Sequence, residues 1–355
     1  MSIVTQAAPA GGRSLPAKLR RWGRALSREL TTVAITMFGL LLVTFLIARV
    51  MPIDPVLAVV GDRAPPDVYE AARLDLGLDK PLWQQFAIYI GKVFTGDLGN
   101  SVLTTNLVTD DIKRVFPATL ELATLGTLIG VLIGVPLGVL AAVNQGRWQD
   151  QIARVVGLVG YSVPVFWMGL MALLLFYAKL GWVSGPGRVS VVWQDIVTPH
   201  TGFVMIDAAL DGEWEAVRDA FSHLILPALV LGLLSVAYIS RMTRSFMIGE
   251  LQQQYVIAAR VKGVSEMAVI WRHALRNAAV PLFTVIALSY MHLLEGSVLT
   301  ETIFAWPGLG RYLTSALLNA DMNAVLGGTL VVGVVFIAVN LLTDIIGRLA
   351  DPRVR

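Results

Sequence analysis

Long apolar runs alternate with short charged segments along the chain, and six of the runs approach or reach the length that a bilayer demands. A helix rises about 1.5 Å per residue and the hydrocarbon layer is about 30 Å thick, so a spanning helix needs about 20 mostly apolar residues. Leu30 to Ala48 and Val155 to Ala178 carry no charge, and Ala118 to Val143 carries only Glu121. Leu224 to Ser240 is short but clean, and extends through Met247 if Arg241 and Arg244 reach up to headgroups. Val280 to Thr300 is interrupted by His292 and Glu295, and Ala324 to Thr343 is unbroken. The pattern predicts an all-α integral membrane protein with six transmembrane helices. The first run reads as a retained span, because its 19 residues exceed the roughly 7 to 15 of a signal-peptide core.

The segments between the runs divide the chain further. Residues 1–17 are rich in Ala, Pro and Gly and are expected to be disordered, and Lys18 to Arg28 would meet an anionic membrane surface. The predicted order is a basic N-terminal segment at 1–29, a first span at 30–50, a helical loop at 51–117, a five-helix core at 118–347 and a tail at 348–355. Within the first loop, Pro65 and Pro66 open a helix that Gly77 stops, and a second helix follows Pro81 with Trp83, Phe86, Ile90 and Val93 on one face. This loop is expected to cap the bundle, with contact to an external protein as the alternative. The loop at 181–222 opens on Gly and Pro turn residues, and its acidic stretch at Asp211, Glu213, Glu215 and Asp219 reads as a solvated face. In the second span Gly126, Gly130, Gly134 and Gly138 recur every fourth residue, which lets another helix approach closely, and Pro136 predicts a kink. No long internal repeat is visible, which counts against an inverted-repeat transporter.

Composition agrees with a membrane setting. Only 15% of residues are charged, against about a quarter in soluble domains. The absence of cysteine removes disulfides and thiolate metal sites, and four scattered histidines suggest no metal. The net charge of +3 becomes informative once divided by side. Segments 1–30, 144–154, 240–278 and 348–355 hold 17 basic and 5 acidic residues, whereas 51–117, 181–222 and 301–322 hold 9 and 17. By the positive-inside rule both termini and the loop at 248–279 are cytoplasmic, and the loops at 51–117 and 181–222 are extracytoplasmic. Such a distribution is an orientation signal, not a nucleic-acid footprint, so the bilayer and not nucleic acid is the expected partner.

Three ionisable groups fall inside the runs. Glu121 sits near one end, where it would reach headgroups, an arginine or the mouth of a pathway. His292 and Glu295 lie one turn apart, and either pair with each other or leave Glu295 to line a pathway and meet a substrate amine. Enzyme chemistry finds little support: no H-E-x-x-H motif is present, and Ser222-His223 is a poor nucleophile pair. A G-x-x-x-x-G-K-[ST] phosphate loop is absent too, since Gly91-Lys92 lacks the preceding Gly and the following hydroxyl. The chain is therefore expected to be non-catalytic and to bind no cofactor itself. The competing readings are an ion-coupled secondary transporter or channel, and an intramembrane hydrolase.

The segment between the fourth and fifth runs is the most distinctive. It reads Gln254-Tyr-Val-Ile-Ala258-Ala259-Arg260-Val-Lys262-Gly263-Val-Ser-Glu266, then Arg272-His273-Ala-Leu-Arg276-Asn277. Two short helical patterns meet at Gly263, whose left-handed turn would leave the first helix along the membrane surface. The stretch resembles the E-A-A-x-x-x-G coupling loop of ABC importer permeases, in the form found in the dipeptide, oligopeptide and nickel transport family. Ala258, Ala259 and Gly263 match, and Ile257 replaces the glutamate. Further matching runs are Pro117 to Ala123, Ser162-Val-Pro164-Val-Phe-Trp167, Leu226 to Leu229, Arg241 with Arg244-Ser245, Phe304 to Gly310 and Asp351 to Arg355. The loop at 181–222 is longer than in short members, and Glu295 stands where the family more often has a small residue.

The resemblance implies a type I ABC importer permease in a bacterial inner membrane. It implies as partners a second permease, two cytoplasmic ATPase subunits that use the ATP, and an extracytoplasmic solute-binding protein. Tyr255, Ala258, Ala259, Arg260, Lys262, Gly263, His273, Arg276 and Asn277 become the expected coupling residues. Glu121, Ser162, Pro164, His292 and Glu295 are the pathway candidates. Peptides are the leading substrate class, with nickel complexes, glutathione and sugar conjugates as alternatives.

Overall fold

The computed structural model describes residues 15–50, 54–61, 63–75 and 77–350, and every regular element among them is helical. Of the disorder expected at residues 1–17, positions 1–14 lie outside the described residues, as do the last five residues of the tail, whereas 15–17 instead begin the first helix. Helix α1 (Leu15–Val50) is continuous, so the basic segment and the first span form one 36-residue rod. Three short helices follow, α2 (Pro55–Val60), α3 (Pro66–Asp75) and α4 (Leu82–Phe94). The two predicted loop helices are present, and Gly77 between them has φ +66°. The face of α4 differs from expectation. Trp83 is 69% exposed, while Phe86 and Tyr89 pack on Phe38 and Phe45 of α1 and Tyr89 shares a hydrogen bond with Thr44.

The second span is helix α5 (Val108–Ile129), a π-helical turn at Gly130–Gly134, and α6 (Val135–Val143). The wider π turn precedes Pro136, whose missing N–H would leave an ordinary helical bond unmade. The third run departs from one straight helix. Helix α7 (Trp148–Ser162) and helix α8 (Val165–Ala172), which continues as a π-helical stretch to Lys179, meet at an angle of 100°. Pro164 explains the break: it has no N–H to donate, and it forces Val163 into extended backbone at φ −88°, ψ 123°. With that pair counted as one broken span, five long apolar helices become six crossings.

Two short helices, α9 (Val191–Gln194) and α10 (Val204–Leu210), lead to α11 (Trp214–Leu251), which starts eight residues before the predicted loop at 181–222 ends. The chain continues through α12 (Gln254–Val261), α13 (Glu266–Ala268), a π-helical stretch at Val269–Ala274, α14 (Leu275–Ile303), α15 (Leu309–Leu318) and α16 (Met322–Ala350). Helix α11 is the hub, packed by α5, α6, α7, α10 and α14, while α1 lies outside against α16 and α4. The core joins Ala118, Leu122, Leu224, Leu231, Leu293 and Trp306 from three spans and the segment after α14.

The glycine row on the second span faces this hub. A Cβ at Gly138 would lie 2.5 Å from the Ser240 carbonyl oxygen, and one at Gly130 would overlap the Ser235 hydroxyl. At Gly126 it would press on Leu293 and Leu231 at 3.0 and 3.2 Å, and at Gly134 on the Val236 carbonyl at 3.1 Å. Real Cβ contacts are rarely this short, so these positions set how closely the second span approaches α11.

Candidate functional site

Helix α11 ends at Leu251, and two residues later the chain re-enters helix as α12. Gly263 stops α12 at φ +78°, with its own N–H bonded to Arg260 O at 3.0 Å and the Val264 N–H to Ala259 O at 3.2 Å. These two bonds form a Schellman cap, which places Gly at the one position that needs a left-handed residue. Among the described residues, and beyond the two flanking ones, no atom lies within 4 Å of a Cβ built there, so the requirement is one of backbone angle and not of space.

The eight-residue helix is held from one side only. Val256 is fully buried, and the Tyr255 hydroxyl donates to Glu250 at 2.5 Å. Burial, with the Glu250 carboxylate second, pushes the Tyr255 phenol up, which keeps it a neutral donor. The opposite side is bare: Ile257 is 52% exposed and Val261 83%, one turn apart, and Met267 beyond the cap is 69% exposed. Ala258 is exposed beside them and Ala259 is half-buried, so the helix backbone is accessible as well. Arg260 is engaged within the loop, as its guanidinium donates to both Glu266 oxygens at 2.8 and 3.2 Å. Lys262, Arg276 and Asn277 are exposed and His273 is half-buried. The loop is thus an apolar, small-residue surface edged by cations and joined at both ends to long helices.

The five pathway candidates do not converge. Glu121 is buried and pairs with Arg188, whose Nε and Nη2 donate to the same carboxylate oxygen at 3.0 and 2.6 Å. Arg188 also donates to Gly202 O at 2.6 Å and lies 5.7 Å from the Trp306 ring centre, so the cluster pins the segment 181–213 onto α5. Of the partners open to Glu121, the arginine is the one formed. Ser162 and Pro164 are exposed at the break between α7 and α8. His292 uses Nδ1 on the carbonyl of Leu288, and among the described residues no bond joins it to Glu295. The i, i+3 pair is therefore not formed: the ring bonds a carbonyl of its own helix and lies 6.2 Å from the Tyr238 ring of α11. Glu295 instead borders a cavity of about 230 Å³ between α5, α14, α15 and α16, walled by Phe116, Met291, Leu294, Leu313 and Phe336.

Several buried carboxylates carry no local signal in the sequence. Glu301 is fully buried and accepts from Thr119 Oγ1 at 2.7 Å, Ser297 Oγ at 2.9 Å and the Arg311 N–H at 2.9 Å, so it caps the start of α15. A Cβ at Gly308 would overlap its carboxylate, which accounts for a glycine in the Phe304 to Gly310 run. Asp321 accepts from Ser101 Oγ at 2.5 Å and from the Leu103 N–H at 3.2 Å, tying the loop before α5 to the start of α16. Asp111 takes bonds from Thr104, Asn106 and Arg114. The acidic stretch at 211–219 is also tied in. Asp211 accepts from the Thr198 N–H and contacts His200, which hold its carboxyl below the usual range, and Asp219 receives the N–H and hydroxyl of Ser190. Fully buried Asp150 accepts from Arg244 at 2.6 and 3.0 Å, joining α7 to α11.

Residues 134–355 match the family described as "Binding-protein-dependent transport system inner membrane component", and residues 23–123 match the family described as "Binding-prot-dependent transport system membrane comp, N-term". The di/tripeptide transport system permease protein DppB of Pseudomonas aeruginosa is 43% identical over 93% of this chain and 98% of its own length. The dipeptide transport system permease protein DppB of Escherichia coli is 44% identical over 92% of this chain and 97% of its own. A solved structure of the MetNI methionine ABC transporter in inward-facing conformations covers 66% of this chain and 93% of its own, at 17% identity and TM-score 0.49. With a family match over residues 134–355 and relatives of this identity along nearly the whole chain, the protein belongs to the inner-membrane permease components of binding-protein-dependent ABC transport systems.

Proposed function

We propose that this chain is one of two permease subunits of an ABC importer for short peptides, and that α12 is where separate ATPase subunits drive it. The observation that carries the reading is the bare side of α12. Ile257 and Val261 expose apolar surface outside the long spans, at a helix locked by a glycine cap and joined to α11 and α14. Exposed apolar surface with small neighbours is what a docking helix offers a protein cleft. The proposed orientation puts both termini and α12 in the cytoplasm, where basic residues outnumber acidic ones 17 to 5. An extracytoplasmic binding protein would deliver substrate at the opposite end. The chain itself is read as non-catalytic and free of cofactor, with ATP hydrolysis assigned to the partner subunits.

The cysteine-free sequence makes the docking directly measurable, because Val261→Cys carries a unique thiol. In inside-out vesicles that thiol is expected to react with a maleimide when the chain is alone and to be protected when the ATPase subunits are bound. Equal labelling in both states would defeat the docking assignment.

Substrate contact is proposed for Glu295, the one ionisable side chain bordering the apolar cavity between α14 and α16. A carboxylate in apolar surroundings suits the amino terminus of a peptide, with the walls taking side chains. Glu295→Gln is expected to raise the KM for peptides with a free amino terminus by about tenfold, as one charge-assisted hydrogen bond is lost. N-acetylated peptides provide the reference. An unchanged ratio between the two substrates would remove Glu295 from the pathway.

A further inference from the structure

A second cavity, of about 580 Å³, opens between α7 and α11 at the end of the bundle that also carries α12. Its lining includes three arginines, Arg154, Arg241 and Arg244, with Tyr161, the exposed Ser245 and Ser240, whose buried hydroxyl donates to Ala237 O. One carboxylate answers three cations. Asp150 is fully buried behind the lining and takes both Arg244, at 2.6 and 3.0 Å, and Arg154, at 3.1 Å. It also accepts the Gly146 N–H at 3.0 Å, so its acceptor capacity is filled from several directions. Arg241 has no carboxylate among the described residues. Its Nη2 donates to the Tyr161 hydroxyl at 3.1 Å, and its guanidinium lies 4.6 Å from the ring centre. The group carries a surplus of about two positive charges, with Arg154 and Arg241 exposed at the mouth of the recess and Arg244 half-buried behind them.

The surroundings narrow what could neutralise it. Beside the recess α7 presents Ile152, Val155, Leu158 and Val159, which are 45%, 57%, 66% and 40% exposed and form an apolar face. Trp148 at the start of α7 is 69% exposed, a position suited to the membrane interface. Gly157 leaves the recess open, with nothing within 4 Å of a Cβ built on it. Guanidiniums, hydroxyls and an adjoining apolar face match a phosphodiester with attached chains, and basic recesses between helices on the cytoplasmic side are a known physical basis for headgroup binding.

We propose that this recess binds the headgroup of an anionic phospholipid of the inner leaflet, with Arg241 and Arg154 as its phosphate donors. The inference uses the orientation proposed above for the leaflet, and goes beyond it in naming a lipid site that bridges α7 and α11. Occupancy would stiffen the joint between the broken third span and the hub helix.

Native mass spectrometry of the purified full chain, released from micelles holding phosphatidylglycerol or phosphatidylcholine, tests the proposal. The wild-type chain is expected to retain one phosphatidylglycerol at least tenfold more readily than phosphatidylcholine. Arg154→Gln with Arg241→Gln is expected to abolish that preference. Gly157→Trp is expected to do the same with every arginine kept, because it fills the recess. Arg73→Gln, in an exposed ion pair with Glu70 on α3, is expected to retain the lipid as wild type does. Equal retention of the two lipids, a preference surviving in both recess variants, or its displacement by millimolar inorganic phosphate would overturn the proposal. So would loss of the bound lipid once the second permease is present, which would make the recess a subunit contact. None of these outcomes bears on the docking of α12, which the Val261→Cys protection reads independently.

Discussion

Gly263→Val is expected to lower ATP-driven peptide uptake at least tenfold while leaving membrane insertion and the amount of folded permease unchanged. The cause lies in one dihedral angle. Gly263 holds φ +78°, where a side chain costs about 1 to 2 kcal/mol and a β-branched one is a clear outlier. Relief of that strain requires opening the two capping bonds from Gly263 and Val264, which would change the direction in which α12 meets α13. No neighbour lies within 4 Å of the new Cβ, so the effect does not pass through the packed core. A graded series separates angle from bulk. Asn tolerates the left-handed region and is expected to retain most uptake, Ala to lose part of it, and Val to lose nearly all. Uptake assays in vesicles with ATPase subunits present, beside quantified permease, provide the readout. Valine and asparagine variants that transport equally would exclude the cap from coupling.

Arg188→Met is expected to cost about 3 to 5 kcal/mol of stability, because it strands the Glu121 carboxylate in the protein core. The side chains are only 15% and 5% exposed, and the neighbours of Glu121 on α5 include the buried Leu122 and Ala118. Removing both charges should do less harm than removing one. Arg188→Met with Glu121→Met is expected to fall within about 2 kcal/mol of wild type, since a buried pair exchanged for apolar groups of similar size is often near neutral. Thermal unfolding in one detergent across the four proteins checks the cycle, and additive losses would contradict it. Uptake by the double variant separates a structural role from a transport role. Near-normal transport is expected from a structural clamp, whereas a stable but inactive double variant would return Glu121 to the pathway.

Much of the fold is legible locally. Apolar run length yields six crossings, and a glycine after a short helical pattern yields the α12 cap, because each depends on neighbours in sequence. The glycine row on the second span is legible for the same reason, although its partner, α11, is not. What stays hidden depends on distant residues. Glu301 meets Thr119 from 182 positions away and Ser101 meets Asp321 from 220, so nothing near either acid announces its partner. The pairing of His292 with Glu295 is the converse case, because helical spacing permits the contact but the ring has a carbonyl on its own helix to bond. Pro164 stands in one of the runs that resemble the permease family, yet a proline within an apolar stretch can kink a span or break it. The 100° turn shows only in the folded chain, where α7 and α8 both pack on α11.

Helix α11 runs 38 residues without interruption, about 57 Å at about 1.5 Å per residue, nearly twice the hydrocarbon thickness. Near its first turn Asp219 grips Ser190, and two residues past its last turn α12 begins. Such a rod behaves as a see-saw: a tilt of about 5° would shift one tip relative to the other by about 5 Å. The traffic along it must run both ways, since any ligand that favours one tilt raises the affinity of whatever favours that tilt at the far tip. Under the proposed function, a substrate-loaded binding protein that settled on the Ser190 end and favoured one tilt would tighten the grip of ATPase subunits on α12 before any nucleotide is hydrolysed.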